Sequence, residues 1–187
     1  MPTAADPLLA PLPDVLPAVE RHSRMPAGFA AVGTTAGIKV SGRPDFALVV
    51  ASDGPVPAAA VFTPNRFAAA PVRLSKANLR ATGGTPAACG YATAVIATSG
   101  SANAATGEAG DADQAAIGGA VAAAIGADPL HVLHLSTGVI GTRLPVDKVA
   151  ATVKRVAAEG LEPTDQALGQ AAAALRTTDS TAKMATV

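Results

Sequence analysis

Three short segments rich in glycine, serine and threonine are the residues of this sequence best suited to chemistry. They are Thr98-Ser-Gly-Ser-Ala-Asn103, Ser136-Thr-Gly-Val-Ile-Gly141 and Thr177-Thr-Asp-Ser180. Small residues let a backbone approach a ligand closely, and free backbone N–H groups in such segments can stabilise an oxyanion. Each segment taken alone is also typical of an ordinary turn. Their chemistry would be polar binding and stabilisation of developing negative charge.

Other catalytic signatures are missing from the sequence. It has no phosphate-binding Gly-x-x-x-x-Gly-Lys-Ser/Thr segment, no Gly-x-Gly-x-x-Gly after a strand and no Gly-x-Ser-x-Gly. The spacing of His22, His131 and His134 does not suit a zinc site, and we predict that the last two are structural. Cys89 is the only cysteine, which excludes an intrachain disulfide and a thiolate metal site. We therefore expect no metal and no resident cofactor.

Charge and hydropathy exclude two further classes of protein. The chain has 187 residues, with 14 Lys and Arg against 14 Asp and Glu, so it lacks the basic excess of a nucleic-acid binder. Its longest uncharged stretch of small residues, 115–127, is too short to cross a bilayer. The N-terminus has no signal peptide pattern. We expect a cytoplasmic protein that binds neither nucleic acid nor membranes.

The elements that must position these segments are strands first and helices later. Residues 1–26 contain six prolines and are predicted to form a flexible N-terminal arm, followed by one domain over 27–187. Apolar runs bounded by turn residues predict strands at 46–50, 58–62, 91–97 and 131–135. Helical spacing of apolar residues predicts helices at 110–127, 147–159 and 164–175. This pattern favours an α/β fold of closely packed layers, since the apolar residues are mostly small.

Five blocks, taken in order, make the chain similar to the ornithine acetyltransferase family, the bifunctional glutamate N-acetyltransferases of arginine biosynthesis. The blocks are Pro26-Ala-Gly-Phe-Ala-Ala-Val-Gly-Thr-Thr-Ala-Gly-Ile-Lys-Val-Ser-Gly42 with Asp45-Phe-Ala-Leu48, Ala60-Val-Phe-Thr-Pro-Asn65 with Ala69-Ala-Pro-Val72, Ser99-Gly-Ser-Ala-Asn-Ala-Ala-Thr-Gly107, Ser136-Thr-Gly-Val-Ile-Gly141 with Leu144-Pro-Val-Asp-Lys148, and Ala174-Leu-Arg-Thr-Thr-Asp179 with Lys183. They extend over residues 26–183 and resemble the α-chain portion of the family.

The resemblance implies a fold, a reaction and a partner. The fold would be the layered sandwich of sheet and helices of these self-cleaving enzymes. The family precursor cleaves itself before a threonine, which opens the β chain and serves as the nucleophile. Acetyl would pass from N-acetylornithine to glutamate through an acetyl-threonine enzyme, with acetyl-CoA as a further co-substrate in some members. The expected assembly is a heterotetramer of two α and two β chains.

The resemblance also assigns roles to individual residues. Thr137 and Gly138 would form the oxyanion hole, and Thr177 would contact the substrate amino acid. Lys39 and Asp179 are expected to be structural, with their charges tied to turns. Many relatives have Asn-Ser-Gly-Asn-Ala-Asn where this chain has Thr98-Ser-Gly-Ser-Ala-Asn103, and proline where it has Ala182.

The C-terminal end carries a cleavage-like tetrapeptide, Met184-Ala-Thr-Val187. The family's Lys-Gly-x-Gly-Met segment does not precede it, so we do not assign Thr186 as the nucleophile. We expect the α chain to stop early here and the β chain to supply the nucleophile. Two alternatives stay open: a non-catalytic truncated homologue or scaffold, and a related self-cleaving amidohydrolase or aminopeptidase that uses water as the acceptor.

Overall fold

The computed structural model describes residues 24–83 and 89–181. Within them the elements follow the order β1 (Phe29–Thr34), β2 (Phe46–Ala51), β3 (Val56–Ala59), α1 (Ala70–Gly83), β4 (Cys89–Ala92), β5 (Ala94–Ser101), α2 (Gly107–Ile125), β6 (Val132–Val139), α3 (Val146–Glu159) and α4 (Asp165–Ala174). A short 3-10 helix, Pro129–His131, leads into β6. Most of the predicted N-terminal arm, and residues 182–187, lie outside the described residues.

The main sheet has four strands in the order β1-β2-β5-β6. The first two pairs, β1 with β2 and β2 with β5, are antiparallel. Only β5 and β6 run parallel, with α2 in the connection between them. Strands β3 and β4 form a separate antiparallel pair. As a result, the carboxyl ends of β5 and β6 and the start of β2 meet at one edge of the main sheet.

Helices cover both faces of the sheet, as the sequence predicts for a layered α/β fold. One face packs on α2 and α3 through aliphatic side chains such as Ile96, Ile117, Val121 and Val153, all at most 1% exposed. The other face packs on α4 almost entirely through alanines: Ala31, Ala47, Ala97, Ala167, Ala171 and Ala174. No helix among the described residues is long and apolar enough to span a membrane.

Small residues let α4 lie very close to the sheet. A Cβ placed on Gly33 of β1 would be 2.1 Å from the backbone carbon of Gln170 in α4. That distance is far inside van der Waals contact, so the backbone of β1 touches the backbone of the helix. The prediction of closely packed layers is confirmed at this point, and the position of α4 depends on it.

Helix α1 packs on β6 through a polar face, which the sequence did not reveal. Ser75 Oγ accepts the His134 N–H at 2.8 Å and donates to the His134 carbonyl at 3.2 Å. Asn78 Nδ2 donates to the Val132 carbonyl at 2.9 Å. These side chains satisfy backbone groups along the first half of β6, where an edge strand would otherwise leave them unpaired. Because polar side chains lie on its buried face, apolar periodicity does not predict this helix.

A buried amide network joins α2 to the same strand. Asn103 Nδ2 donates to the Gln114 side-chain oxygen at 3.1 Å, and Gln114 Nε2 lies 3.0 Å from His134 Nδ1. Asn103 also donates its backbone N–H to Ser136 Oγ at 2.8 Å. The three side chains Asn103, Gln114 and His134 are at most 4% exposed. The network holds the residues after β5 against the second half of β6.

The predicted elements are mostly confirmed, with several corrections. The apolar run 91–97 is two strands, β4 and β5, and the strand predicted at 58–62 lies at β3 instead. The sequence did not predict β1 or α1. Thr164 caps α4 by accepting the Ala167 N–H at 3.1 Å. His134 is buried and lies 3.0 Å from the Gln114 amide, as expected of a structural histidine. His131 lies in the 3-10 helix rather than in β6.

Replacing Gly33 by alanine tests the close approach of α4. Because the new Cβ would overlap the Gln170 backbone, Gly33→Ala should lower the free energy of unfolding by about 1–3 kcal/mol. Gly169→Ala is the matched control, since a Cβ on Gly169 of α4 meets no atom within 4 Å. That change should raise stability by roughly 0.5–1 kcal/mol. Denaturant unfolding measures both; a Gly33→Ala protein as stable as Gly169→Ala would contradict the contact.

The buried histidine should make stability depend on acid pH. Burial lowers the pKa of His134 from 6.5 to about 4, because the charged imidazole would lose its solvation. The unfolded chain then binds the proton more readily, so stability falls as the pH drops from 6.5 towards 4, by about 3 kcal/mol in total. NMR titration of the imidazole protons measures the pKa directly. Titration of His134 near pH 6.5 would contradict its neutral, buried state.

Candidate active site

The ends of β5 and β6 bring two of the three glycine-, serine- and threonine-rich segments side by side. Their parallel register pairs Ser99 with Thr137 and Gly100 with Gly138. The two segments are about 40 residues apart in the sequence, where each follows its own predicted strand. The fold makes them direct neighbours. Two of the three segments therefore lie on paired strands rather than on separate loops.

Gly100 and Gly138 need to be glycine for reasons of both conformation and space. Their φ angles are 111° and 131°, in the region that side chains disfavour. A Cβ on Gly138 would lie 2.4 Å from the backbone carbon of Gly100, and a Cβ on Gly100 would lie 2.9 Å from Cγ of Lys39. The pair thus lets the two strands and the Lys39 stem converge at one point.

The alternation of backbone groups along β6 implies that the Gly138 N–H faces the outer edge of the sheet. Along β6, the Val139 carbonyl accepts the Ala102 N–H on the β5 side, whereas the His134 N–H donates to Ser75 on the opposite side. Backbone groups alternate between the two sides of a strand, so Gly138 faces the same way as His134. In the described part of the chain no further strand pairs with β6 there.

The backbone of this segment differs from the sequence prediction. It ended the strand at Leu135 and expected Ser136 to Gly138 to form a turn. In the structure β6 continues to Val139. The outward amide arises because β6 is an edge strand, and because the contacts of α1 cover only its first half.

An open cleft of about 380 Å³ lies at this edge of the sheet. Its lining consists of Lys39, Arg43, Gly100, Thr137, Gly138, Val139, Thr177 and Thr178. All three sequence-predicted site residues, Thr137, Gly138 and Thr177, therefore line the same space. The lining is rich in hydrogen-bond donors: hydroxyls, backbone N–H groups and two cationic side chains.

Thr177 reaches the cleft because the chain after α4 is fixed to the sheet. Ser99 Oγ donates to the carbonyl of Ala174, the last residue of α4. The Arg176 guanidinium donates to the carbonyls of Asp179 and Ser180, which closes the turn that contains Thr177. The third polar segment thus joins the other two through contacts distant in sequence.

Lys39 has the structural role that the sequence predicted. Its ammonium donates to the carbonyls of Pro44 at 2.7 Å, Arg176 at 2.6 Å and Ala174 at 3.3 Å. Burial lowers the pKa of Lys39, and the nearby Asp45 carboxylate partly opposes that shift. The three N–H groups of Lys39 are engaged, so it contributes charge to the cleft and ties the segment after α4 to the β1–β2 loop.

Two lining residues, Arg43 and Thr178, are not among the site residues that the sequence predicts. Arg43 lies in the β1–β2 loop, which reaches the cleft because the start of β2 pairs with the end of β5. Only the strand order places that loop beside Thr137. Thr178 follows Thr177 in the Thr-Thr-Asp block, and the doubled threonine was a signal that could have included it.

Comparison with known proteins identifies the same family along the chain. The family model described as "ArgJ family" matches residues 30–187. The arginine biosynthesis bifunctional protein ArgJ of Bifidobacterium longum is 48% identical over 158 residues, which is 83% of this chain and 38% of the relative. The chain thus spans well under half the length of that curated relative.

Two solved structures share the fold. Ornithine acetyltransferase from Mycobacterium tuberculosis, in complex with ornithine, has a TM-score of 0.80 and 40% identity over 90% of this chain and 86% of that one. The ArgJ protein of Bacillus halodurans has a TM-score of 0.73 and 29% identity over 88% of this chain and 82% of that one. The layered α/β fold predicted from the resemblance is confirmed. By family model, sequence identity and fold, this chain belongs to the ArgJ family.

Proposed function

We propose that this chain is the α-chain part of an enzyme that transfers acetyl from N-acetylornithine to glutamate. The observation that carries the proposal is the cleft that Thr137, Gly138 and Thr177 line together. Bifunctional ArgJ relatives are arginine biosynthesis proteins, and the similar Mycobacterium tuberculosis enzyme was crystallised with ornithine. The donor-rich lining suits a reaction in which negative charge develops on a carbonyl oxygen.

The proposed reaction has two acyl-transfer steps. A threonine hydroxyl attacks the acetyl carbonyl of N-acetylornithine, the threonine amine takes the hydroxyl proton, and ornithine leaves with that proton on its nitrogen. The glutamate amine then attacks the acetyl-threonine ester, its proton passes through the threonine amine to the threonine oxygen, and N-acetylglutamate leaves as the threonine hydroxyl is restored. Both tetrahedral intermediates carry an oxyanion, which the Gly138 N–H and the Thr137 hydroxyl would bind. Thr177 would bind polar groups of the amino acid.

The nucleophile in this proposal is the N-terminal threonine of a β chain cut from the same precursor. Its partner surface would include the outer end of β6, where Leu135, Val139 and Ile140 are 50%, 64% and 63% exposed. Exposed apolar side chains grouped beside a site are typical of surfaces that another chain covers. We place two α and two β chains in the cytoplasmic assembly. No resident cofactor or metal is required, and acetyl-CoA is a candidate second acetyl donor.

The oxyanion hole is tested by removing one hydroxyl from it. In the full-length protein that contains this chain, Thr137→Ala should lower kcat about 100-fold and leave KM for N-acetylornithine nearly unchanged, because the charge exists only near the transition state. Thr137→Ser keeps the hydroxyl and should retain most of the activity. Steady-state kinetics of the two variants decide the matter: equal kcat for alanine, serine and threonine would remove Thr137 from the oxyanion hole.

The substrate-binding role of Thr177 makes a different kinetic prediction. Thr177→Val keeps the shape of the side chain but removes its hydrogen bond, which typically costs about 1–3 kcal/mol when the partner stays buried. We expect a raised KM for N-acetylornithine with an unchanged melting temperature, and recovery in Thr177→Ser. If Thr177→Val instead lowers the melting temperature and leaves the kinetics unchanged, Thr177 is a structural residue.

A further inference from the structure

The cleft carries a positive charge that the acetyl-transfer chemistry alone does not explain. Two of its eight lining residues, Lys39 and Arg43, are cationic, and none of the eight is acidic. An oxyanion that forms only near the transition state needs hydrogen-bond donors at one point. A permanently charged side chain beside those donors favours a ligand group that is already anionic when it binds.

The two cations are not equivalent as donors. The Lys39 ammonium directs its three N–H groups at three carbonyls, as described above. The Asp45 carboxylate, which interacts electrostatically with Lys39, accepts three backbone N–H groups of the β1–β2 loop and is fully buried. Lys39 thus adds charge to the cleft, but it has no N–H left to bind a ligand.

Arg43 keeps its most useful donors. Within the described residues its side chain makes one hydrogen bond, from Nε to Ser41 Oγ at 3.3 Å. The Ser41 hydroxyl also accepts the Arg43 backbone N–H at 3.5 Å, so one residue anchors both the backbone and the base of the guanidinium. The two terminal Nη groups have no protein partner there. Their fork geometry matches the two oxygens of a carboxylate.

We infer that Arg43 binds the α-carboxylate of the amino-acid substrates and is a specificity-determining residue of the cleft. This inference rests on the proposed function and deepens it, since N-acetylornithine and glutamate both carry that carboxylate. The oxyanion hole at Thr137 and Gly138 receives the acetyl group at one side of the cleft. Arg43, on the β1–β2 loop, holds the charged end of the amino acid at another side.

The test compares a substrate with an analogue in which a neutral amide replaces the α-carboxylate. Arg43→Ala should raise KM for N-acetylornithine and for glutamate at least tenfold with little change in kcat, because the carboxylate is bound alike in the ground and transition states. With the carboxamide of N-acetylornithine as the donor, Arg43→Ala should match the unmodified protein. Arg43→Lys keeps the charge without the fork and should lie between the two. Arg80→Ala, which removes an exposed arginine of α1, is the matched control and should change nothing.

Calorimetric binding of N-acetylornithine and of its carboxamide separates this inference from the proposed function. If the unmodified protein binds the acid more tightly than the amide and Arg43→Ala abolishes the difference, the inference holds, even where no acetyl transfer is detected. Three results would overturn it. They are equal loss of affinity for acid and amide in Arg43→Ala, an unchanged KM in that variant, and a fall in kcat without a change in KM. Because Arg43 is exposed, its substitution should not change the stability of the protein, and a melting temperature checks this.

Discussion

The buried Asp45 carboxylate fixes the loop between β1 and β2, and that loop positions the other parts of the site. The carboxylate is fully buried, and its two oxygens accept the backbone N–H groups of Ala36, Ile38 and Lys39 at 2.6 to 2.8 Å. A buried carboxylate is tolerated only when hydrogen bonds replace its hydration. The loop between β1 and β2 therefore has to wrap around Asp45, and this places the Lys39 stem against Gly100 at the end of β5.

The position of Lys39 then organises the remaining parts of the cleft. Its ammonium gathers carbonyls from the end of α4 and from Arg176, so the threonine block after α4 is held beside the paired glycines of β5 and β6. Helix α4 can be there only because alanines and Gly33 let it approach the sheet. On the far side, the Asn103 network and α1 hold β6 but stop short of Gly138. These contacts thus surround the Gly138 amide, which stays exposed at the edge of the sheet.

The sequence predicted which segments have residue types suited to chemistry, but it did not predict which of them lie side by side in the fold. Residue types indicated the short glycine-, serine- and threonine-rich segments, and the family resemblance then singled out Thr137, Gly138 and Thr177 within them. Apolar spacing predicted α2, α3 and α4. Helix α1 escaped because Ser75 and Asn78 on its buried face bond to backbone groups of β6 instead of packing as apolar side chains. Arg43 escaped because only the antiparallel pairing of β2 with β5 brings its loop to the cleft.

A crystal structure of the full-length protein with a phosphonate analogue of N-acetylornithine would locate the oxyanion hole, because the tetrahedral phosphorus replaces the acetyl carbonyl carbon. If the hole lies at the β5–β6 edge, one phosphonate oxygen lies about 2.7–3.1 Å from both the Gly138 N and the Thr137 Oγ1. A phosphonate bound in the cleft with its oxygens on other donors, or bound outside the cleft, would contradict the assignment of the β5–β6 edge as the site of acetyl transfer.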